Sequence, residues 1–387
     1  MLKTCLLLAM IISGLSAASS LAQMPTQGGF NSVPDAWLFL NRGQTWWYGI
    51  KPSSNPIALK NREPTTAEKP VIDHVQRLMA STSAKVFALM DGDTVVHVQF
   101  DASASAESLI FGFSMGKTVT AMGVGQAICA DKLKIDTKAS DLLPTLAGKA
   151  LGNATIRDLL RMASGTNGEN SDSTIFTAEQ GKAWTQGKLN LLEVVSEDRI
   201  SKAQKGVFSD YIPGEAHNYK STDPFVAAMM VSKAVGMPWS QWLQEKVLNP
   251  MGVANAGLYA QDRQQNGQGA SGLYLRLEDW MRFALWVKRS SKEKGCFGDF
   301  VRAALSTQIR NGTSPADRKH GQLFAGYGYF TWTENKLAPN TAFASGWGGQ
   351  RISWHRDSDR MIVVFSGVEN WMPELYEVAR DWNRIFK

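Results

Sequence analysis

The chain has 387 residues, 44% hydrophobic and 20% charged, and a formal net charge of +6. That length supports one large domain or two intermediate ones with a substantial core. The basic residues are scattered, which excludes a nucleic-acid-binding stripe; His74, His97, His217, His320 and His355 show no metal-type pairing, so no metal or other cofactor is expected.

The first residues lead into an apolar run over 6–12 and then small residues ending Ser20-Leu21-Ala22, the pattern of a secretory leader cleaved after Ala22. The run is too short for a spanning helix, so the mature protein is expected to be exported, periplasmic or secreted, without stable membrane insertion. Cys5 leaves with the leader. Residues 23–65, rich in Gly, Pro, Asn and Ser and carrying Trp37, Trp46 and Trp47, read as an irregular segment wrapped over the body. A helix is expected over 71–79, then strands over 85–90 and 94–100 joined at Asp91-Gly92-Asp93, a hairpin signal.

From Ser114 to about Ser290 the pattern is mainly helical with long loops. Thr155 and Asp158 form a capping box, and Ser164-Gly165 stops the helix it opens. Further helices fit 191–199, 225–235, 239–247 and 277–288. Strand character returns at 328–332, 342–346, 351–355 and 361–366, and an amphipathic helix over 373–386 closes the chain. Strands at both ends with helices between predict an α+β fold, an α/β sandwich with an antiparallel sheet flanked by N- and C-terminal helices and an inserted, mainly helical domain. The expected division is 66–113 with 291–387 for the sheet domain and 114–290 for the helical one. Cys129 falls in the apolar helix that begins at Ser114, so it reads as a buried small hydrophobe rather than as half of a disulfide with Cys296.

That helix carries the chemistry. Ser114 and Lys117 stand one turn apart on one face, and Val119, Ala121, Met122, Val124 and Ala127 would bury the helix nearly all round. A lysine there is costly unless it is used: burial disfavours the ammonium form, so the amine is expected to take a proton from the serine. The spacing alone does not decide, because Ser291 and Lys294 repeat it inside a solvated polar run. A proton-relaying partner is expected at Tyr219-Lys220-Ser221, which follows Pro213-Gly214-Glu215 and precedes a helix; Tyr219 is the relay and Ser221 its support. His217 is read as structural, because no Ser-His-Asp arrangement has sequence support. The stretch from Phe343 to Gln350 is a glycine-flanked strand edge whose backbone N–H, with that of Ser114, would form an oxyanion hole.

In this order, Ser114-x-x-Lys117, the helix ending Ala163-Ser164-Gly165, Pro213-Gly214-Glu215, Tyr219-x-Ser221, Asn249-Pro250-Met251-Gly252, Ala270 to Tyr274 and the glycine-rich strand resemble the serine β-lactamase-like hydrolases over about residues 70 to 387. Similar members are class C β-lactamases, D-alanyl-D-alanine carboxypeptidases, family VIII esterases and, most closely, 6-aminohexanoate-dimer hydrolases. The resemblance implies that Ser114 is the acylated nucleophile, Lys117 the general base, Tyr219 the relay, and Ser221 a supporting group where β-lactamases usually have Asn. The family's Lys-[Ser/Thr]-Gly motif falls on Ala344-Ser345-Gly346, without the lysine that helps bind the penicillin carboxylate; Arg351 is a candidate substitute. In this register Trp347 supplies the second oxyanion N–H, whereas the Trp-Gly-Gly register of some esterases moves that role to Gln350. Phe113, Ser345, Gly346 and Gln350 are expected at the substrate, with Phe113 and Trp347 lining an aromatic cleft.

The resemblance implies two-step acyl transfer on a small-molecule amide or ester. The alternatives are a β-lactamase or D-alanyl-D-alanine carboxypeptidase and a non-catalytic cell-wall-binding protein on the same fold. Fold does not fix the substrate, and the oligomeric state is open.

Overall fold

A computed structural model describes residues 47–167, 175–206, 208–311 and 323–385. The predicted leader, the 23–46 part of the N-terminal segment with Trp37 and Trp46, and His320 lie outside them. The strands in chain order are β1 (Trp47–Ile50), β2 (Lys60–Asn61), β3 (Ala84–Asp91), β4 (Thr94–Phe100), β5 (Ile110–Phe111), β6 (Gly257–Ala260) and β7 (Leu273–Leu275). The C-terminal part adds β8 (Ile309–Arg310), β9 (Phe324–Tyr327), β10 (Trp332–Asn335), β11 (Thr341–Gly346), β12 (Gln350–His355) and β13 (Arg360–Ser366). The large sheet runs β2-β4-β3-β13-β12-β11-β10-β9-β8 and the small one β1-β6-β7-β5. Neighbours are antiparallel, as expected, apart from the short edge pair β2 and β4, which is parallel. β3 and β13 are almost entirely buried, which suits their continuous apolar runs, and their pairing from Arg360↔Asp91 to Ser366↔Ala84 joins the two ends of the chain at the centre of the sheet.

The longer helices are α1 (Lys69–Ser81), α2 (Met115–Cys129), α3 (Thr222–Val235), α4 (Leu277–Ser290), α5 (Cys296–Ala304) and α6 (Met372–Arg384). Adjacent strand residues point to opposite faces. Arg360 meets the Trp382 ring of α6, 3.9 Å from its centroid, whereas Trp354, paired with Met361, donates its indole N–H to Ala284 O of α4. The sheet is therefore covered by α6 on one side, with α1 against it, and by α4 on the other. α4 lies in the segment expected to form the helical domain, yet it packs on β12 and β13 and serves the sheet.

Two further readings are corrected. The stretch 328–332 is mostly the turn between β9 and β10: Phe330 has φ 52°, and Gly328 donates its N–H to Thr331 O, so the chain reverses where one strand was expected. Cys129 and Cys296 form a disulfide, with Cα atoms 5.6 Å apart, tying the end of α2 to the start of α5. α2 is buried from Met115 to Gly125 and at Ala127, but its last turn surfaces, which leaves Cys129 half-buried and within reach of its partner. Among the described residues no helix is long and apolar enough to cross a membrane.

Candidate active site

Ser114 is the N-cap of α2, and the residue before it is strained. Phe113 has φ 46°, a left-handed conformation that a bulky side chain rarely adopts and that persists only where its surroundings impose it. The surroundings are tight. A Cβ at Gly112 would lie 2.3 Å from the Trp280 ring, and Trp280 donates its indole N–H to Ile110 O. The N–H groups of Met115, Gly116 and Lys117 are bonded to the carbonyls of Gly112, Phe113 and Ser114, which closes the first turn behind the serine.

Every residue of α2 from Met115 to Gly125 is buried, Lys117 included, at 2% exposure. Its Nζ donates to Ser114 Oγ at 2.9 Å, Ser221 Oγ at 3.2 Å and Ala270 O at 3.4 Å, and lies 4.9 Å from the centroid of the Tyr219 ring. Among the described residues no carboxylate comes within 4.0 Å of it. Thus the structure brings together the four polar residues expected to cooperate. Tyr219 leans on Trp332 of β10, 5.1 Å between centroids, and Ser221 is the N-cap of α3, so the cluster sits where the helical part meets the large sheet. Ala270 had no assigned role. Its carbonyl reaches Lys117 because α2 lies hard against residues 269–271: Thr120 Oγ1 donates to Gly269 O, and a Cβ at Gly116 would stand 3.0 Å from Ser271 Cα.

The end of β11 forms the opposite wall. A Cβ at Gly346 would lie 2.4 Å from Gly112 O, an approach that only glycine permits and that places the next residue, Trp347, beside the entry to α2. The Trp347 side chain is 63% exposed, its ring 5.5 Å from that of Phe113. Ser345 is on the same strand end, with its hydroxyl buried and without a hydrogen-bond partner among the described residues.

The Gln350 side chain, expected at the substrate, is turned inward. It is 1% exposed: its amide donates to Trp347 O and Ser366 O, and its carbonyl accepts the Ser366 N–H, so the side chain braces the β11–β12 turn from within. Arg351 is likewise occupied. Its guanidinium donates to Gly346 O and Gln350 O, both at 2.8 Å, and to the Tyr376 hydroxyl, and stands 3.6 Å from Glu369, so it supports the turn instead of replacing the missing lysine. His217 is buried, its ring 4.6 Å from that of Tyr327, in keeping with a structural part. Among the described residues no cluster of potential metal ligands occurs.

Comparison with known proteins bears on this geometry. A family model described as Beta-lactamase matches residues 71–383. Penicillin-binding protein 4 of Amycolatopsis lactamdurans is 25% identical over 182 residues, 44% of this chain and 43% of that protein, so the match spans less than half of the curated relative. A solved structure assigned as a 6-aminohexanoate-dimer hydrolase from Bacillus anthracis superposes with a TM-score of 0.69 at 13% identity, covering 93% of this chain and 95% of the other. EstCE1, described as a hydrolase with promiscuous acyltransferase activity, superposes with a TM-score of 0.59 at 15% identity, covering 81% and 98%. At those identities the likeness is one of fold.

Proposed function

This chain belongs to the beta-lactamase family, and from that premise we propose that it hydrolyses linear amides or esters through an acyl-enzyme on Ser114. The observation that carries the reading is the buried Lys117 side-chain nitrogen, 2.9 Å from Ser114 Oγ and shared with Ser221 beside the Tyr219 ring. Lys117, as base, takes the Ser114 proton while Oγ bonds to the substrate carbonyl carbon. The oxyanion rests on the N–H groups of Ser114 and Trp347. Collapse breaks the carbonyl–leaving-group bond, the leaving oxygen or nitrogen takes the proton relayed through Tyr219, and water then releases the acid by the same steps in reverse roles.

Linear substrates are favoured over β-lactams because Ala344 occupies the position of the family's carboxylate-binding lysine and Arg351 is already engaged. The exposed Trp347 ring beside Phe113 supports an apolar acyl or leaving group at the rim. Export remains part of the proposal: the leader pattern and the Cys129–Cys296 disulfide both favour an oxidising compartment.

The test is intact-mass analysis of the mature protein and of Ser114→Ala after exposure to a fluorophosphonate, a penicillin and nitrocefin, with the hydrolysis rate of a p-nitrophenyl ester alongside. An adduct and ester turnover that both vanish in Ser114→Ala are expected. Penicillin acylation would move the assignment to a β-lactamase or carboxypeptidase. No adduct with any probe would leave a binding protein on this fold.

A further inference from the structure

We propose that Lys220 and Asp223 are positioning residues of the reaction, a buried ion pair that holds Tyr219 and Ser221 around Lys117. The inference rests on the reading of Ser114 as nucleophile. In the segment 219–221 the outer two residues meet Lys117, through the Tyr219 ring and the Ser221 hydroxyl. Lys220, between them, turns inward and is 1% exposed. Its ammonium donates to Asn218 O at 2.9 Å and stands 3.3 Å from Asp223 Oδ2. One cation thus ties the residue before Tyr219 to the second residue after Ser221, and the backbone carrying both groups is fixed from behind.

The tie is anchored further in. Asp223 Oδ1 accepts the Ser164 hydroxyl at 2.7 Å and Oδ2 the Ser164 N–H at 3.4 Å, while the Ser164 hydroxyl lies 3.0 Å from Thr166 Oγ1. On the other side, Asn218 donates its N–H to Met162 O and its side-chain amide to Thr166 O and Gln204 Oε1. Both ends of the 218–223 segment therefore hang on the stretch 162–166. Burial pushes the Asp223 carboxyl up and the Lys220 charge opposes that, so the carboxylate depends on its partner. A wholly buried ion pair is a poor source of stability, since well-packed apolar residues of the same volume serve as well. Its directional bonds do what an apolar pair cannot: they specify where two catalytic side chains point.

The experiment uses the full mature chain carrying Lys220→Met with Asp223→Asn, which removes both charges without orphaning either. Expected is a folded protein by circular dichroism whose kcat for the p-nitrophenyl ester and rate of fluorophosphonate inactivation fall together by about tenfold or more, with KM within about twofold. Should that variant fail to fold, Asp223→Glu, which keeps the charge and lengthens its reach, is expected to give the same pattern. Wild-type kcat per labelled site in a folded variant would overturn the proposal, as would a loss confined to the fraction of molecules that label. If the wild-type protein neither labels nor turns over, the functional reading fails separately. The pair is then judged by crystal structures of both proteins, and a Lys117 Nζ to Ser221 Oγ contact still at 3.2 Å in the variant would overturn it.

Discussion

Lys117 shows most directly what a single residue gives up for a site. Its side chain belongs to a helix that is buried nearly all round, with two hydroxyls, a carbonyl and a ring face around its Nζ and no carboxylate within 4.0 Å among the described residues. Burying an amine in apolar surroundings works against folding. Lys117→Met, of similar length, is therefore expected to raise the melting temperature while lowering kcat by about 10²–10⁴-fold, the range that positioned proton transfer contributes. Thermal melts and ester kinetics on one preparation check both halves, and a stable variant with undiminished turnover would remove Lys117 from the mechanism. The gathering of Ser114, Lys117 and Tyr219 was legible because the first two share one short pattern and Tyr219 stands in another. The inward turn of the Gln350 side chain was not legible, because a strand edge presents alternate residues to opposite faces and the sequence does not say where the turn releases the chain. Lys220 and Asp223 passed unremarked, since an i, i+3 charge pair ordinarily signals a solvated helix surface.

The elements meet at one close approach on which the proposed oxyanion hole would depend. Because a Cβ at Gly346 would lie 2.4 Å from Gly112 O, the end of β11 and the entry to α2 are in backbone contact. Gly346→Ala must push them apart. The expected cost is about 1–3 kcal/mol of stability, as for overpacking elsewhere, and a fall in kcat of about 10²–10³-fold, the loss seen when one oxyanion donor is displaced. Wild-type kcat in this variant would show that the Trp347 N–H plays no part. At its other end α2 is bound to α5 through Cys129 and Cys296, 167 residues apart. Reduction is expected to lower stability by about 2–5 kcal/mol while fluorophosphonate labelling of Ser114 in the cold is unaffected, since the disulfide and the serine lie at opposite ends of the helix. Melting with and without reductant, paired with labelling, separates the two effects. Neither contact is readable beforehand: a glycine's neighbour and a cysteine's partner belong to tertiary structure, as does the left-handed Phe330 that turns an expected strand into a hairpin loop.

At the scale of the molecule, legibility followed length and burial. β3 and β13 are long and apolar because they form the buried middle of the large sheet, so their pattern survives in the sequence. The small sheet was invisible because its strands have only two to four residues, too few for a period to show. The large sheet also depends on a buried charge cluster that no motif announces. Glu68, the N-cap of α1, is fully buried; its carboxylate accepts two hydrogen bonds from Arg62, at 2.7 and 2.6 Å, one from Arg360 of β13 at 2.6 Å, and the Thr65 N–H at 2.8 Å. Hydrogen bonding from Arg62 does most to hold this carboxyl far below the usual range, with burial opposing and Thr65 and Arg360 assisting. A carboxyl depressed in the folded state contributes its full stabilisation above its unfolded value, about pH 4.3, and loses it progressively as the pH falls below that. The melting temperature is thus expected to drop as the protein is acidified from about pH 5 to 2, and Glu68→Gln to remove part of that dependence. At neutral pH the same variant removes the buried carboxylate that both Arg62 and Arg360 pair with and should be less stable by about 3–5 kcal/mol. Equal acid sensitivity in the two proteins would place the titrating group elsewhere. The expected convergence of their melting temperatures at low pH would instead make this cluster the clamp between α1 and β13, through which the two ends of the chain are held together in the large sheet.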